Sequence, residues 1–427
     1  MVLSPQERWG RDHAADLDER TRRMGLELRM GMGLCCHGDD SDQADLCWDG
    51  EGVCHLTWAS FHPHLPGIVT VPIDPTTGQM QGEPRQLWQG SGLAAVEAPH
   101  LYQIDGWWYL LLAEGGTERG HAVTIARARC LDGEWEPCPS NPILSHRSLS
   151  TPVQNTGHGD LIQLADGTWA MVYLGVRLRG KTPGFHTNGR ETFLAGIDWI
   201  DGWPVVKEDR FSVAGVDHSF TERFPEGQLH PRWVSPGAAP QRLLTWNDGH
   251  LNIARALADP HPAILACRVP DQEWSATVRI RTSGSARFAL RMDEAHWYGF
   301  ELHDASVEAV VHIGPATTEL CRVAREPGDS AVLRLRARTP QGDMFRPADQ
   351  PDLIEMSVVL SDDTEQQLAE IDGRYLSTEV AGGFTGRVLA LEVLDRSIEV
   401  ESFTYRTEHS PARSGPPPAD ITDLMEH

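Results

Sequence analysis

Glu97 precedes the short apolar run Ala98-Pro99-His100-Leu101-Tyr102-Gln103-Ile104. An Asp105-Gly106 pair follows, and then Trp107-Trp108-Tyr109-Leu110. Asp-Gly between two hydrophobic runs is a strong hairpin signal. The carboxylate therefore stands at the start of a hairpin expected to be buried on both faces. A carboxylate at such an edge meets little water, its pKa rises, and a raised pKa suits a general acid. The plain alternative is a surface glutamate at a strand start.

The element that would position Glu97 recurs. Asp160-Leu161-Ile162-Gln163-Leu164-Ala165-Asp166-Gly167-Thr168-Trp169 has the same order of apolar run, turn and aromatic-containing run, and 45–56 is a weaker copy. Aligned on Leu46, Leu101 and Leu161, the copies are 55 to 60 residues apart. Each is followed by a further strand-like piece: Gly67–Ile73, Ala122–Arg127 and Thr192–Trp199. Four strands per unit, at a period near that of kelch-type repeats, predict propeller blades. Counted back from the aligned leucine, Glu97 and Asp42 share one position, and His158 and Gln43 share the next. The inner strand of each blade starts at the propeller axis, so these four polar residues are expected to gather at one end of the channel.

At these residues the chain resembles glycoside hydrolase family 43, the β-xylosidase and α-L-arabinofuranosidase group. The matching pieces are Glu97-Ala98-Pro99-His100-Leu101-Tyr102, Ala113-Glu114-Gly115-Gly116-Thr117 and His121-Ala122-Val123-Thr124-Ile125-Ala126-Arg127. Asn155-Thr156-Gly157-His158-Gly159-Asp160-Leu161 and Gly189-Arg190-Glu191-Thr192-Phe193-Leu194 complete the set. The resemblance implies a five-bladed propeller with Glu97 as general acid, His158 and Arg190 as positioning groups and Thr117 as a sugar contact. The family aspartate that tunes the acid falls on Gln43, which leaves Asp42, one residue away, as the candidate modulator. No cofactor is expected; a calcium ion in the channel near His158 is the one alternative.

The family's general-base aspartate, near an Asn-Pro-Asp-Pro segment, has no counterpart here, and the three units correspond to blades three, four and five. Inverting hydrolysis needs two carboxyls roughly 6.5–9.5 Å apart. The expectation is thus a chain truncated at its N-terminus. It would act on O-glycosyl bonds of xylo-oligosaccharides or arabinofuranosyl side groups by an inverting acid/base mechanism, impaired by the missing base. The alternatives are a non-catalytic carbohydrate-binding protein and an inactive gene fragment.

Composition bounds the rest. At 427 residues two or three domains are expected, and 40% hydrophobic residues with 14 Trp support large cores. A formal charge of −24 argues against nucleic acid and anionic membrane partners. No apolar run reaches the roughly 18 residues of a membrane span, and no signal-peptide core is read at the N-terminus. The eight scattered cysteines point to reduced thiols in a cytoplasm. Residues 1–40 read as an atypical segment; its Cys35-Cys36-His37 lacks the spacing for zinc. The propeller portion spans 41–207. Within it, the basic stretch Arg177–His186 is read either as a cover over the sugar site or as a solvated loop, and Arg190 either as a sugar contact or as a partner of Glu191 or Asp198.

From 208 to 407 a second all-β domain follows. Strands such as Ser275–Arg281, Ala331–Ala337 and Ile354–Leu360 alternate apolar and polar residues. Asp372–Glu379 and Gly382–Gly386 resemble the concanavalin-A-like, jelly-roll sandwich found after these propellers. Residues 408–427 read as a tail. The overall expectation is all-β: a partial five-bladed β-propeller of about three blades, then a β-sandwich. An oligosaccharide is the expected partner. An unclosed ring exposes a blade face, so self-association into a homo-oligomer is expected as well.

Overall fold

The computed structural model describes residues 44–408 except 181–182, 212–215, 248, 256–260, 341–349 and 361–363. Asp42 and Gln43, the segment 1–40 with its Cys-Cys-His, and the tail beyond 408 lie outside the described residues. The chain forms two compact units. The first takes described residues 44–176 and 191–211; the second takes 177–190 and 216–408.

The first unit contains three four-stranded antiparallel sheets. The first sheet is β1 (Ala44–Trp48), β2 (Cys54–Ser60), β3 (Gly67–Ile73) and β4 (Arg85–Trp88). The second is β5 (Glu97–Ile104), β6 (Trp107–Glu114), β7 (Ala122–Ala128) and β8 (Glu136–Pro137). The third is β9 (Val153–Gln163), β10 (Trp169–Arg177), β13 (Glu191–Ile200) and β14 (Trp203–Lys207). Between β10 and β13 the chain makes the short pair β11 (Arg179–Gly180) and β12 (Gly184–Phe185), in the second unit. The three repeats are therefore three blades, in the order the spacing predicts.

Turn chemistry sets the hairpins. Asp105 and Gly106 have φ of 49° and 75°, the left-handed pair that a two-residue hairpin turn requires. β6 explains why its sequence is a continuous apolar run. Trp108, Leu110 and Leu112 pack towards Ala59, Ile68 and Leu87 of the first blade. Tyr109 and Leu111 pack towards Leu161, Met171 and Ala195 of the third. A strand buried on both faces cannot alternate with polar residues, and each such leucine contributes about 1.5–3 kcal/mol.

The inner strands are also stitched together by polar groups. The backbone N–H of Leu101 donates to Asp45 at 3.3 Å. The Tyr102 hydroxyl donates to Asp160 and accepts from the N–H of Leu161 at 2.9 Å.

The second unit pairs two antiparallel sheets. One runs β17 (Leu244–Asn247), β18 (His250–Ala254), β29 (Ser397–Thr407), β20 (Trp274–Thr282), β25 (Ala331–Arg338), β26 (Leu353–Val359) and β27 (Glu365–Asp372), with β15 (Phe220–Glu222) also on β29. The other runs β16 (Trp233–Val234), β19 (Ile264–Arg268), β28 (Val388–Asp395), β21 (Ser285–Arg291), β22 (His296–Leu302), β23 (Ser306–Ile313) and β24 (Ala316–Ala324). Trp274, Phe288, Phe300, Phe403 and Tyr405 are fully buried in their common core. Strict alternation along β20 and β25 places every second residue in that core.

Candidate active site

Glu97 is the first residue of β5 and pairs with Ala113 of β6. The register then shifts between Glu97 and His100, and Ala98 takes a left-handed φ of 49°. A bulge of this kind re-aims a side chain at the end of a ladder. Glu97 is half-buried, so its carboxyl is neither a core group nor a freely solvated one. Pro99, which offers no backbone N–H, occupies the irregular step.

His158 lies within β9 and also adopts a left-handed conformation, φ 52°; Asn155, three residues earlier, has φ 56°. Non-glycine residues held this way cost on the order of 1–3 kcal/mol and cluster at functional sites. Thr117 sits in the connection from β6 to β7. Gly115 and Gly116 have φ of 87° and 75°, and a Cβ on Gly115 would fall 1.9 Å from the Gly120 carbonyl oxygen. Only glycine closes that connection. The β6–β7 hairpin end thus gathers three of the sequence-predicted residues. Glu97 faces Ala113 across the ladder, Thr117 lies in the connection, and the backbone before His158 packs on His121 just past it.

Arg190 belongs to the second unit. Its guanidinium lies 4.4 Å from the centre of the Phe384 ring, a cation–π arrangement. Asp198, one ion-pair partner considered for it, is paired with Arg210. The basic stretch before Arg190 is not a solvated loop. Arg179 is 3% exposed and donates to the Thr339 hydroxyl at 3.0 Å, and burial pushes its pKa down. Arg177 donates to the Pro270 carbonyl at 2.6 Å. His186 Nδ1 is 2.7 Å from Glu379, and Asn188 donates to the Val269 carbonyl. The reading of this stretch as a solvated loop is corrected accordingly; Lys181 and Thr182 lie outside the described residues.

Sequence reasoning passed over His100, Glu114 and His121. His100 Nδ1 stands 3.5 Å from Asp45 Oδ2. The signal for it was available: the position just before each aligned leucine carries Asp45, His100 and Asp160. Glu114 is fully buried and His121 is 2% exposed, and both carry hydrogen bonds to neighbouring segments.

Among the described residues, Glu301, His303 and Glu308 of the second unit form a group whose ligand atoms lie within 4.8 Å of one another. Arg287 already binds Glu301 at 2.7 Å and Arg322 binds Glu308 at 3.1 Å. The group is an ion-pair network, and His158 is not part of it.

Three repeated four-stranded sheets and a two-sheet sandwich define a propeller-and-sandwich protein. Residues 41–204 match the family described as glycosyl hydrolases family 43. Residues 221–405 match the beta xylosidase C-terminal concanavalin A-like domain. The first unit thus carries a glycosyl hydrolases family 43 match, and the second carries the match to the C-terminal domain of beta xylosidases.

A xylosidase/arabinosidase of Butyrivibrio fibrisolvens is 39% identical over 174 residues, covering 38% of this chain and 32% of its own. A xylan 1,3-beta-xylosidase of a Vibrio species is 30% identical over 298 residues, covering 66% of this chain and 51% of its own. Among solved structures, a family 43 protein of Bacillus licheniformis aligns with a TM-score of 0.71 at 23% identity, over 86% of this chain and 74% of its own. A xylan beta-1,4-xylosidase of Bacillus halodurans aligns with a TM-score of 0.71 at 21% identity, over 86% of this chain and 77% of its own. At those identities the structural likeness is one of fold. The chain spans from about a third to about half of the length of these two curated relatives.

Proposed function

We propose that this protein is a glycoside hydrolase acting on O-glycosyl bonds of xylo-oligosaccharides or arabinofuranosyl side groups, with Glu97 as the general acid of an inverting acid/base mechanism whose water-activating carboxylate is not among the assigned residues. One observation carries the reading. Glu97, in a segment that matches the family, heads an inner strand on a bulge, on the same hairpin end as Thr117 and the His158 segment. Glu97 donates the proton to the leaving oxygen. His158 positions the sugar, and Thr117 contacts it. The family names of the curated relatives, xylosidases and arabinosidases, support the substrate class. The six cysteines among the described residues are free thiols, which fits a reducing cytoplasm.

A second reading is carbohydrate binding without turnover. It is favoured by the residues assigned above, which supply an acid, Glu97, and no general base. Glu97→Gln separates the two. If Glu97 is the acid, the variant loses hydrolysis of substrates with poor leaving groups and largely keeps that of activated aryl glycosides, which need little protonation. Binding of xylo-oligosaccharides with no turnover of either substrate by the unmodified protein establishes the second reading.

A further inference from the structure

Glu114 and His121 stand at the two ends of the β6–β7 connection, Glu114 closing β6 and His121 just before β7. Both are buried, and both are turned against backbone. Glu114 accepts the N–H of Ser91 at 2.9 Å, the hydroxyl of Ser91 at 3.0 Å and the hydroxyl of Thr124 at 2.5 Å. The neighbouring N–H of Gly115 donates to the carbonyl of Ala94 at 2.6 Å. Segment 90–96 is thereby fastened along its length, and it runs directly into Glu97. The fit leaves no slack. Gly90 has φ 87°, and a Cβ there would lie 2.6 Å from Val96 and 3.1 Å from the Glu114 carboxyl.

On the other side, His121 Nδ1 is 2.9 Å from the carbonyl oxygen of Asn155. A Cβ on Gly157 would fall 2.3 Å from the His121 ring. The stretch that holds Asn155 and His158 in left-handed conformations therefore rests on this imidazole. Burying a carboxyl and an imidazole is costly unless both are hydrogen-bonded. Here the Ser91 bonds of Glu114 and the Asn155 bond of His121 run to the two segments that carry the candidate acid and the candidate histidine, and Thr124 of β7 holds the Glu114 carboxyl from behind.

We propose that Glu114 and His121 are positioning residues. Glu114 fixes the backbone that aims Glu97, His121 fixes the backbone that aims His158, and one hairpin end thereby sets the two relative to each other. Neither side chain is a catalytic residue. The proposal rests on Glu97 being the general acid, so Glu97→Gln is measured alongside.

The test compares Glu114→Ala, Glu114→Gln, His121→Phe and Ser91→Ala on aryl glycosides with good and poor leaving groups, together with hydrogen exchange over 90–97. Glu114→Ala is expected to lower kcat on the poor leaving group by about 10–100-fold, the scale of a small misplacement of a reacting group. KM and the good leaving group should change little, and exchange at Ser91 should rise. Glu114→Gln, which keeps the shape and one acceptor oxygen, should recover most of the loss. His121→Phe keeps the ring but not the Asn155 bond, and should lower kcat on both substrates.

A folded Glu114→Ala protein with faster exchange at 90–97 and an unchanged leaving-group ratio overturns the proposal. If that variant does not fold, Ser91→Ala decides. It removes one bond to the same carboxyl from an exposed residue, and an unchanged leaving-group ratio in it also overturns the proposal. A Glu97→Gln protein with no leaving-group dependence instead removes the acid assignment on which the proposal stands.

Discussion

Asp45 Oδ2 lies 3.5 Å from His100 Nδ1, so a carboxylate of β1 grips an imidazole of β5 three residues beyond Glu97. Burial works against a charged His100, but the Asp45 and Asp160 carboxylates outweigh it and hold its pKa above the usual imidazole value. A group whose pKa is raised on folding adds stability that is complete below its unfolded value and is lost as pH rises through the folded one. Unfolding by urea should therefore become easier as the pH rises above the usual imidazole value of about 6.5, and less so in His100→Gln. Parallel pH profiles for the two proteins would refute the pairing.

His158 offers a separate test, because it is half-buried and its φ is 52°. His158→Ala should weaken activity while costing far less stability than the roughly 2–5 kcal/mol of a core truncation. Glycine tolerates left-handed φ where alanine does not. His158→Gly should accordingly be more stable than His158→Ala, by about 1 kcal/mol, and equally impaired. Urea unfolding of the three proteins checks the order.

The clasp on segment 177–190 is acid-sensitive in a definite direction. Burial tends to raise the Glu379 pKa, but His186 and its backbone N–H outweigh that and lower it. A depressed carboxyl pKa gives stability that is present above the unfolded value and lost as pH falls through the folded one. Limited proteolysis within 177–190 should rise as the pH falls below about 4, and Glu379→Gln should be cleaved more readily at neutral pH. Equal cleavage of both proteins at neutral pH would count against the clasp.

Val172 and Leu194 are cross-strand partners, 36% and 38% exposed, on the face of the third blade opposite Met171 and Ala195. Exposed apolar pairs on a sheet face favour association. Light scattering of the 427-residue chain should show self-association that falls in a Val172→Lys, Leu194→Thr variant. A monomer that binds no apolar dye would contradict this.

Much of the blade architecture was legible because its signals are local. Asp105-Gly106 dictates a turn within two residues, and the aligned leucines Leu46, Leu101 and Leu161 repeat at a regular interval. The bulge at Glu97 and the left-handed His158 were not legible, since neither alanine nor histidine announces a positive φ. Glu114 and His121 were visible only as members of motifs. Their roles depend on backbone brought up from segments 90–96 and 155–157. The fate of the basic stretch was hidden for a stronger reason. His186 and Glu379 are 193 residues apart in sequence, beyond the reach of any pattern in a window.

That separation bears on the order of events at the ribosome. The β10 and β13 strands can pair as soon as residue 200 has emerged, but the stretch between them has partners at Val269, Glu379 and Arg387 that do not yet exist. At about 5–20 residues per second, roughly ten to forty seconds of synthesis pass between His186 and Glu379. Within that interval Pro270 arrives for Arg177 and then Thr339 for Arg179, His186 is the last of the three to gain its partner, and the stretch that ends in Arg190 completes its docking only once the sandwich has been made.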